Sequence, residues 1–258
     1  MKIGMEFMQR LAGAAAQETL PRFRMPGLTS DNKYQVGFDP VTEADREAER
    51  AIRALIGEAF PDHGIFGEEF GIENGDSQYQ WIIDPIDGTR SFISGMPLWG
   101  TLVGFLKDGD AVAGMMSQPF IGELFFANED GCFYEGPGGA RELCVRPTRT
   151  LSEATLSTTT PALFTGAVRQ AYDRLEAKVQ LARYGTDCYA YAMLAAGTVD
   201  LVVETGLQPY DIAALVPIIE RAGGVITTWD GGPAEKAGDI VAAATPELHQ
   251  AALEVLNA

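Results

Sequence analysis

Residues 81–89 read Trp81-Ile82-Ile83-Asp84-Pro85-Ile86-Asp87-Gly88-Thr89. With Tyr79 and Gln80 before them, the aromatic and β-branched residues up to Asp84 predict a buried strand. Pro85 has no amide hydrogen for a ladder, so the strand should stop there in a turn. Two aspartates three residues apart at such a position are hard to explain as solvated charge, because carboxylates withdrawn from water must be paired or bound to cations. Their oxygens and the intervening Ile86 carbonyl are hard ligands, suited to Mg²⁺ or Mn²⁺ rather than to a soft metal. Gly88 and Thr89 then open a helix whose first amides face an anion, which sets metal and phosphate side by side. A plainer reading is a strand-to-helix turn capped by Asp87. The length and chemical specificity of the whole string weigh against it.

Before this stretch, Ile3, Phe7, Leu11, Ala14, Ala15 and Leu20 recur at helical spacing, which predicts an amphipathic helix over residues 2–24 with a kink at Pro21. Residues 25–40 hold two prolines and two glycines and read as a loop or weak hairpin with room to move. A second helix starts at Thr42, with Ala44, Ala48, Ile52, Leu55 and Ile56 along one face, and Pro61 ends it. After Thr89, short strand-like runs at 99–106, 111–117, 123–127 and 131–135 are separated by turn signals, as in an antiparallel meander. Gly136-Pro137-Gly138-Gly139 reads as a hairpin loop rather than a phosphate cradle, because no helix follows it.

From about residue 151 the pattern changes. Strands at 154–158, 199–204, 225–228 and 240–244 alternate with helices at 161–175, 188–197, 211–222 and 246–256. Pro217 should kink the third of these helices and Gly223-Gly224 should stop it. The fold class is α/β (α+β), with residues 1–148 giving helices plus an antiparallel sheet and residues 149–258 an α/β subdomain.

Composition narrows the function. The 258 residues carry 19 Lys and Arg against 36 Asp and Glu, a net charge of −17, which repels nucleic acid and anionic membranes. No apolar window is long enough for a membrane span, and Lys2, Glu6 and Arg10 interrupt the first stretch, so a cytoplasmic location is expected. Cys132, Cys144 and Cys188 have the scattered spacing of reduced thiols and read as buried small hydrophobes. The glycine-rich nucleotide loops and the Gly-x-Ser-x-Gly elbow are missing. His63 and His249, the only histidines, are too few for a multi-histidine zinc site and read as surface residues.

Residues 81–89 resemble the signature of the inositol monophosphatase family of Mg²⁺-dependent, lithium-sensitive phosphatases. Gly67-Glu68-Glu69, Val41-Thr42-Glu43-Ala44-Asp45 and Pro209-Tyr210-Asp211-Ile212-Ala213-Ala214 are similar to its other motifs, in the family's order, with Tyr210 where Trp is more usual. The resemblance runs from about residue 5 to 250 and implies a layered α/β/α/β/α sandwich and a homodimer. For that interface the residues offer Met96-Pro97-Leu98-Trp99, Phe120 and Phe125-Phe126, for which core packing is the commoner fate.

The resemblance further implies that Glu68, Asp84 and the Ile86 carbonyl hold one Mg²⁺, that Asp84, Asp87 and Asp211 hold a second, and that Glu68 shares a third. Asp45 would accept from Thr89 or act through a water. Taken singly, Asp45 also completes a capping box with Thr42, Glu68 suits a surface, and Asp211 caps the helix after it. The reaction implied is in-line attack on phosphorus by a water that Mg²⁺ acidifies and that Thr89 with Glu68 or Asp45 orients, the Gly88 and Thr89 amides binding phosphate oxygens.

Tyr184-Gly185-Thr186-Asp187-Cys188-Tyr189-Ala190-Tyr191 is similar to the branch of the family that dephosphorylates histidinol phosphate. Gly185, Thr186, Asp187 and Glu204 are the substrate-binding candidates, and two carboxylates near the leaving group favour a cationic alcohol. Asp187 also suits the N-cap of the helix that follows. The alternatives are an inositol or other polyol phosphatase and, in another class, a non-catalytic regulatory protein. Retention of the metal-ligand set argues against the last.

Overall fold

The computed structural model describes residues 2–32 and 40–258. Its helices are α1 (Met5–Thr19), α2 (Glu43–Ala59), α3 (Thr89–Ile93), α4 (Gly166–Glu176), α5 (Tyr189–Ala195), α6 (Pro209–Ile212), α7 (Leu215–Arg221) and α8 (Pro246–Leu256). Its strands are β1 (Asp31–Asn32), β2 (Pro40–Val41), β3 (Gly64–Gly67), β4 (Gly71–Glu73), β5 (Tyr79–Asp87), β6 (Gly100–Lys107), β7 (Asp110–Gln118), β8 (Glu123–Asn128), β9 (Gly131–Glu135), β10 (Arg141–Glu142), β11 (Thr155–Thr158), β12 (Leu181–Tyr184), β13 (Leu201–Leu207), β14 (Val225–Thr228) and β15 (Gly238–Ala243).

An eight-stranded sheet has the order β10-β9-β8-β7-β6-β5-β3-β4, in which β6 to β9 form the expected meander, β5 and β10 extend it antiparallel on either side, and β3 lies parallel to β5. A five-stranded sheet has the order β12-β11-β13-β15-β14 and is mixed, with β11 parallel to both its neighbours. Side chains alternate across the first sheet as a period of two requires. Trp81, Ile83, Val103 and Phe105 pack under α1 and α2, while Leu102 and Phe125 face the other way, against α5 and α7. The outer face of the second sheet is covered by α4 and α8. The resulting order is helices, sheet, helices, sheet, helices.

Several local expectations are corrected. α1 ends at Thr19 rather than kinking at Pro21, because proline offers no amide and the chain closes in turns onto the Thr19 carbonyl. The predicted helix 211–222 splits into α6 and α7: Pro217 cannot donate to the Ala213 carbonyl, and the break falls at Ala213-Ala214. Helix 161–175 is likewise divided at Thr165 by Gly166, whose φ is +55°. Trp99, Phe125 and Phe126 are core residues, which leaves Met96 and Phe120 as the exposed members of the apolar set. Both histidines are buried. His63 Nδ1 accepts from Trp81 Nε1 at 3.0 Å, and His249 Nε2 lies 2.9 Å from Thr227 Oγ1. Cys144 is exposed, unlike Cys132 and Cys188. Of the predicted loop 25–40, β1 and β2 pair antiparallel at its base, and residues 33–39 lie outside the described residues.

The α6–α7 junction is pressed onto the first sheet. A Cβ on Gly114 of β7 would meet the Ala214 carbonyl oxygen at 2.0 Å, and one on Gly104 of β6 would meet the Ala214 nitrogen at 2.9 Å. This approach sets the height of Asp211 above β5. Gly114→Ala is expected to lower the thermal midpoint by at least about 5 °C, since overpacking of a filled core costs roughly 1–3 kcal/mol or more. An unchanged midpoint in differential scanning calorimetry would contradict the close approach.

Candidate active site

β5 does not stop at Pro85 as expected but runs on to Asp87; because Pro85 has no amide for the ladder, the pairing with β6 slips in register between Asp84 and Asp87 and resumes at Asp87. Thr101 Oγ1 donates to the freed Pro85 carbonyl at 2.8 Å, and the Asp84 carboxylate accepts from the Ile86 amide at 3.0 Å. The irregularity turns both carboxylates to one side. There they meet Asp211, whose carboxylate is steadied by the Gln208 amide at 2.7 Å. Ligand oxygens of Asp84, Asp87 and Asp211 lie within 4.8 Å of one another.

Asp84 is 2% exposed. Burial first, then the charges around them, pushes the carboxyls of Asp84 and Asp87 well above the usual range; for Asp84 these are Glu68, Asp87 and Asp211. Glu68 also hydrogen-bonds the Asp84 side chain. The parallel pairing of β3 with β5 explains why, since Gly67 is level with Ile83 and the Glu68 amide donates to the Ile83 carbonyl at 3.1 Å. Asp84 is buried and Asp87, Asp211 and Glu68 are half-buried; carboxylates this close together and largely withdrawn from water hold protons or cations, and the all-oxygen donor set fits a hard divalent ion.

Around this cluster the aspartates divide their work in ways that helix capping alone does not describe. Asp45 does close the capping box of α2, accepting from the Thr42 amide at 2.8 Å and its hydroxyl at 2.6 Å. Its other oxygen faces the Thr89 hydroxyl at 3.4 Å, and burial pushes the carboxyl up to about 6. Thr89 Oγ1 is 3.1 Å from the Ile86 carbonyl. Asp87 does not cap α3; it accepts from the Cys188 amide at the start of α5, at 2.7 Å. Asp187 does not cap α5, which has no side-chain cap. Its carboxylate accepts from Ser91 Oγ at 2.8 Å and packs over Gly88, where any Cβ would come within 2.9 Å of it. Gly88 also has φ +81°, so glycine is required there twice over.

Opposite Asp187, Glu204 on β13 accepts from the Thr159 amide at 2.6 Å, the Thr159 hydroxyl at 3.0 Å and the Thr158 hydroxyl at 3.2 Å. Burial pushes its carboxyl up to about 8 despite these donors. The Asp187 carboxyl is raised as well, by burial, with Ser91, Thr159 and Arg90 acting against the rise.

Glu68, Asp84, Ile86, Asp87, Gly88, Thr89, Asp187, Glu204 and Asp211 all line one cavity of about 210 Å³. Gly185, Thr186 and Asp45 do not. The Thr186 hydroxyl is 2.6 Å from Ser157 Oγ, Gly185 closes a turn onto the Thr158 and Thr159 carbonyls, and Asp45 stands behind Thr89. Arg90, Thr159, Leu163 and Leu207 line the cavity without having been singled out in the sequence. The hydroxyl-rich run Thr158-Thr159-Thr160 before Pro161 was the available signal for one of them.

Comparison with known proteins matches residues 4–258 to the inositol monophosphatase family. The chain belongs to that family of metal-dependent phosphatases. It is 36% identical to a histidinol-phosphatase of Streptomyces coelicolor over 96% of this chain and 94% of that one. It is 42% identical to a chloroplastic bifunctional phosphatase, IMPL2, of Arabidopsis thaliana; that match takes in 85% of this chain and 66% of the longer plant protein. Among solved structures, an inositol monophosphatase from Zymomonas mobilis superposes with a TM-score of 0.87 at 39% identity, covering 98% of this chain and 97% of that one. No described helix is long and apolar enough to cross a membrane.

Asp84→Asn keeps the acceptor for the Ile86 amide but removes charge from the middle of the cluster. It is expected to reduce phosphatase turnover roughly a thousandfold, as losses of transition-state charge stabilisation do. Thermal unfolding in EDTA should be no earlier than wild type, because one repelling charge is gone. Activity near wild type would contradict a role for Asp84 at the reacting centre.

Proposed function

We propose that this phosphatase hydrolyses L-histidinol phosphate to L-histidinol and inorganic phosphate, with Mg²⁺ as its cofactor. The observation that carries the substrate is the pair Asp187 and Glu204. Two desolvated carboxylates, Glu204 held by Thr159 and Asp187 close enough to Asp87 to raise its carboxyl, line the same cavity as the Asp84 cluster. They favour a leaving alcohol that brings positive charge, and histidinol has an ammonium and an imidazole. Leu163 and Leu207 give the same cavity an apolar edge that suits a flat ring better than the hydroxyls of a polyol. Relatives from Streptomyces coelicolor, Chlorobaculum parvum and Mycobacterium tuberculosis named as histidinol-phosphatases support this reading.

Asp84, Asp87 and Asp211, with Glu68 and the Ile86 carbonyl, would hold the ions. Bound Mg²⁺ supplies neutralisation of the phosphate dianion and acidification of water. The chain's own groups do the rest. The Gly88 and Thr89 amides bind phosphate oxygens, and Thr89 Oγ1, placed between Asp45 and the Ile86 carbonyl, orients the attacking water together with Glu68. Water adds to phosphorus as the P–O bond to the alcohol breaks, and the departing alkoxide takes up a proton. Asp187 and Glu204 hold the alcohol in line. A second copy of the chain would meet the exposed Met96 and Phe120.

The likeness to the Zymomonas mobilis enzyme favours inositol phosphate as a second reading. Phosphate release from both esters separates the two. Histidinol phosphate is expected to exceed myo-inositol 1-phosphate in kcat/KM by roughly ten- to a hundredfold, the value of a charge-assisted hydrogen bond. Excess EDTA should abolish both activities. Asp187→Ala should narrow the gap by slowing the cationic substrate, leaving a neutral aryl phosphate nearly unaffected. A wild-type preference for inositol phosphate would overturn the assignment.

A further inference from the structure

On α2, Asp45, Glu49 and Arg53 recur at a spacing of four and so form one charged stripe on the helix. Asp45 stands behind Thr89. Glu49, one turn on, has no exposed surface and makes no contact with the cavity. Its carboxylate accepts from the Glu69 amide at 2.7 Å, the Phe70 amide at 3.3 Å and Arg53 Nε at 2.7 Å. Arg53 in turn donates to the Gly71 carbonyl at 2.5 Å and reaches Glu73 at 3.3 Å. The carboxylate lies directly beneath Gly67, where a Cβ would be 1.9 Å from Glu49 Oε1.

Glu68 is thus held from both sides. Its own amide is tied to Ile83, and the next two amides are tied to Glu49. A backbone fixed in this way fixes where the Glu68 side chain starts, and therefore its reach to Asp84. A buried charge is costly unless all its partners are in place, so this clamp has one low-energy arrangement.

We propose that Glu49, with Arg53, is a positioning residue for the metal centre: it sets Glu68 against Asp84 and so determines how tightly the centre holds its cation. The proposal rests on the reading of Glu68 as a ligand. Glutamine at position 49 is isosteric, yet it turns an NH₂ group toward a backbone amide or toward Arg53, donor against donor, which loosens residues 68–70 without leaving a cavity.

Mg²⁺ binding by isothermal titration calorimetry, with Mg²⁺ half-activation and substrate KM at saturating Mg²⁺, tests it on wild type, Glu49→Gln, Glu68→Gln and Leu248→Ala. Leu248 is a buried residue of α8 in the core beyond the second sheet and serves as a variant weakened elsewhere. Glu49→Gln should weaken Mg²⁺ binding and raise the half-activating concentration by about tenfold or more, as loss of a group supporting a metal ligand does. Its KM at saturating Mg²⁺ should stay within about twofold, since the cavity wall near the alcohol is untouched. Glu68→Gln should weaken Mg²⁺ at least as much, and Leu248→Ala should leave it unchanged. Wild-type Mg²⁺ affinity in Glu49→Gln, alongside a loss in Glu68→Gln, would overturn the positioning role alone. Unchanged affinity in Glu68→Gln would remove the ligand on which it rests. An equal loss in Leu248→Ala would reduce the effect to general stability and overturn it as well.

Discussion

Carboxylates crowded together and partly withdrawn from water repel; Asp84, Asp87 and Asp211, with ligand oxygens within 4.8 Å of one another, and Glu68 beside them are in that position. Everything near them opposes the tendency to spread. The Ile86 amide holds Asp84, the Cys188 amide holds Asp87, and the Gln208 amide holds Asp211. Each of these donors is backbone, supplied by a different turn of the chain, so the cluster is fixed by the fold rather than by mobile side chains. Such preorganisation is what electrostatic catalysis needs, because no group must be reoriented when charge develops on the phosphate.

The layered architecture follows from the same need. β5 brings Asp84 and Asp87 to the end of the first sheet, β3 brings Glu68 alongside, and α2 supplies Asp45 and Glu49 from behind. Residues of the second sheet and its helices then complete the cavity, with Glu204 from β13, Thr159 after β11 and Asp187 before α5. The acidic cluster, which draws Asp211 from the second part of the chain as well, and the Asp187–Glu204 pair therefore line one cavity of about 210 Å³.

Much of the acidic cluster was legible in the sequence because it is local. Residues 81–89 carry strand, turn and ligands in one string, and the meander after them alternates with a period of two. What escaped reading depends on distant partners. Glu49 looks like any charged helix residue until β3 and its following loop are placed over it. Asp187 and Asp87 each have the spacing of a helix cap, yet Asp187 turns toward Ser91 and Asp87 toward α5, 101 residues on. His63 and His249 looked like surface residues because nothing in their neighbourhoods announces Trp81 or Thr227 as a partner. β12 was missed because its four residues, Leu181–Tyr184, are largely exposed at a sheet edge and carry no alternation.

The central claim is that the Asp84, Asp87 and Asp211 carboxylates are the place where divalent cations meet the phosphate. Crystals grown with Mn²⁺ and inorganic phosphate, with data collected on the high-energy side of the manganese absorption edge, test it most directly. Anomalous peaks are expected between those three carboxylates and beside Glu68, with phosphate density against Gly88 and Thr89. Manganese found only elsewhere on the protein, with these carboxylates protonated and facing one another, would contradict it.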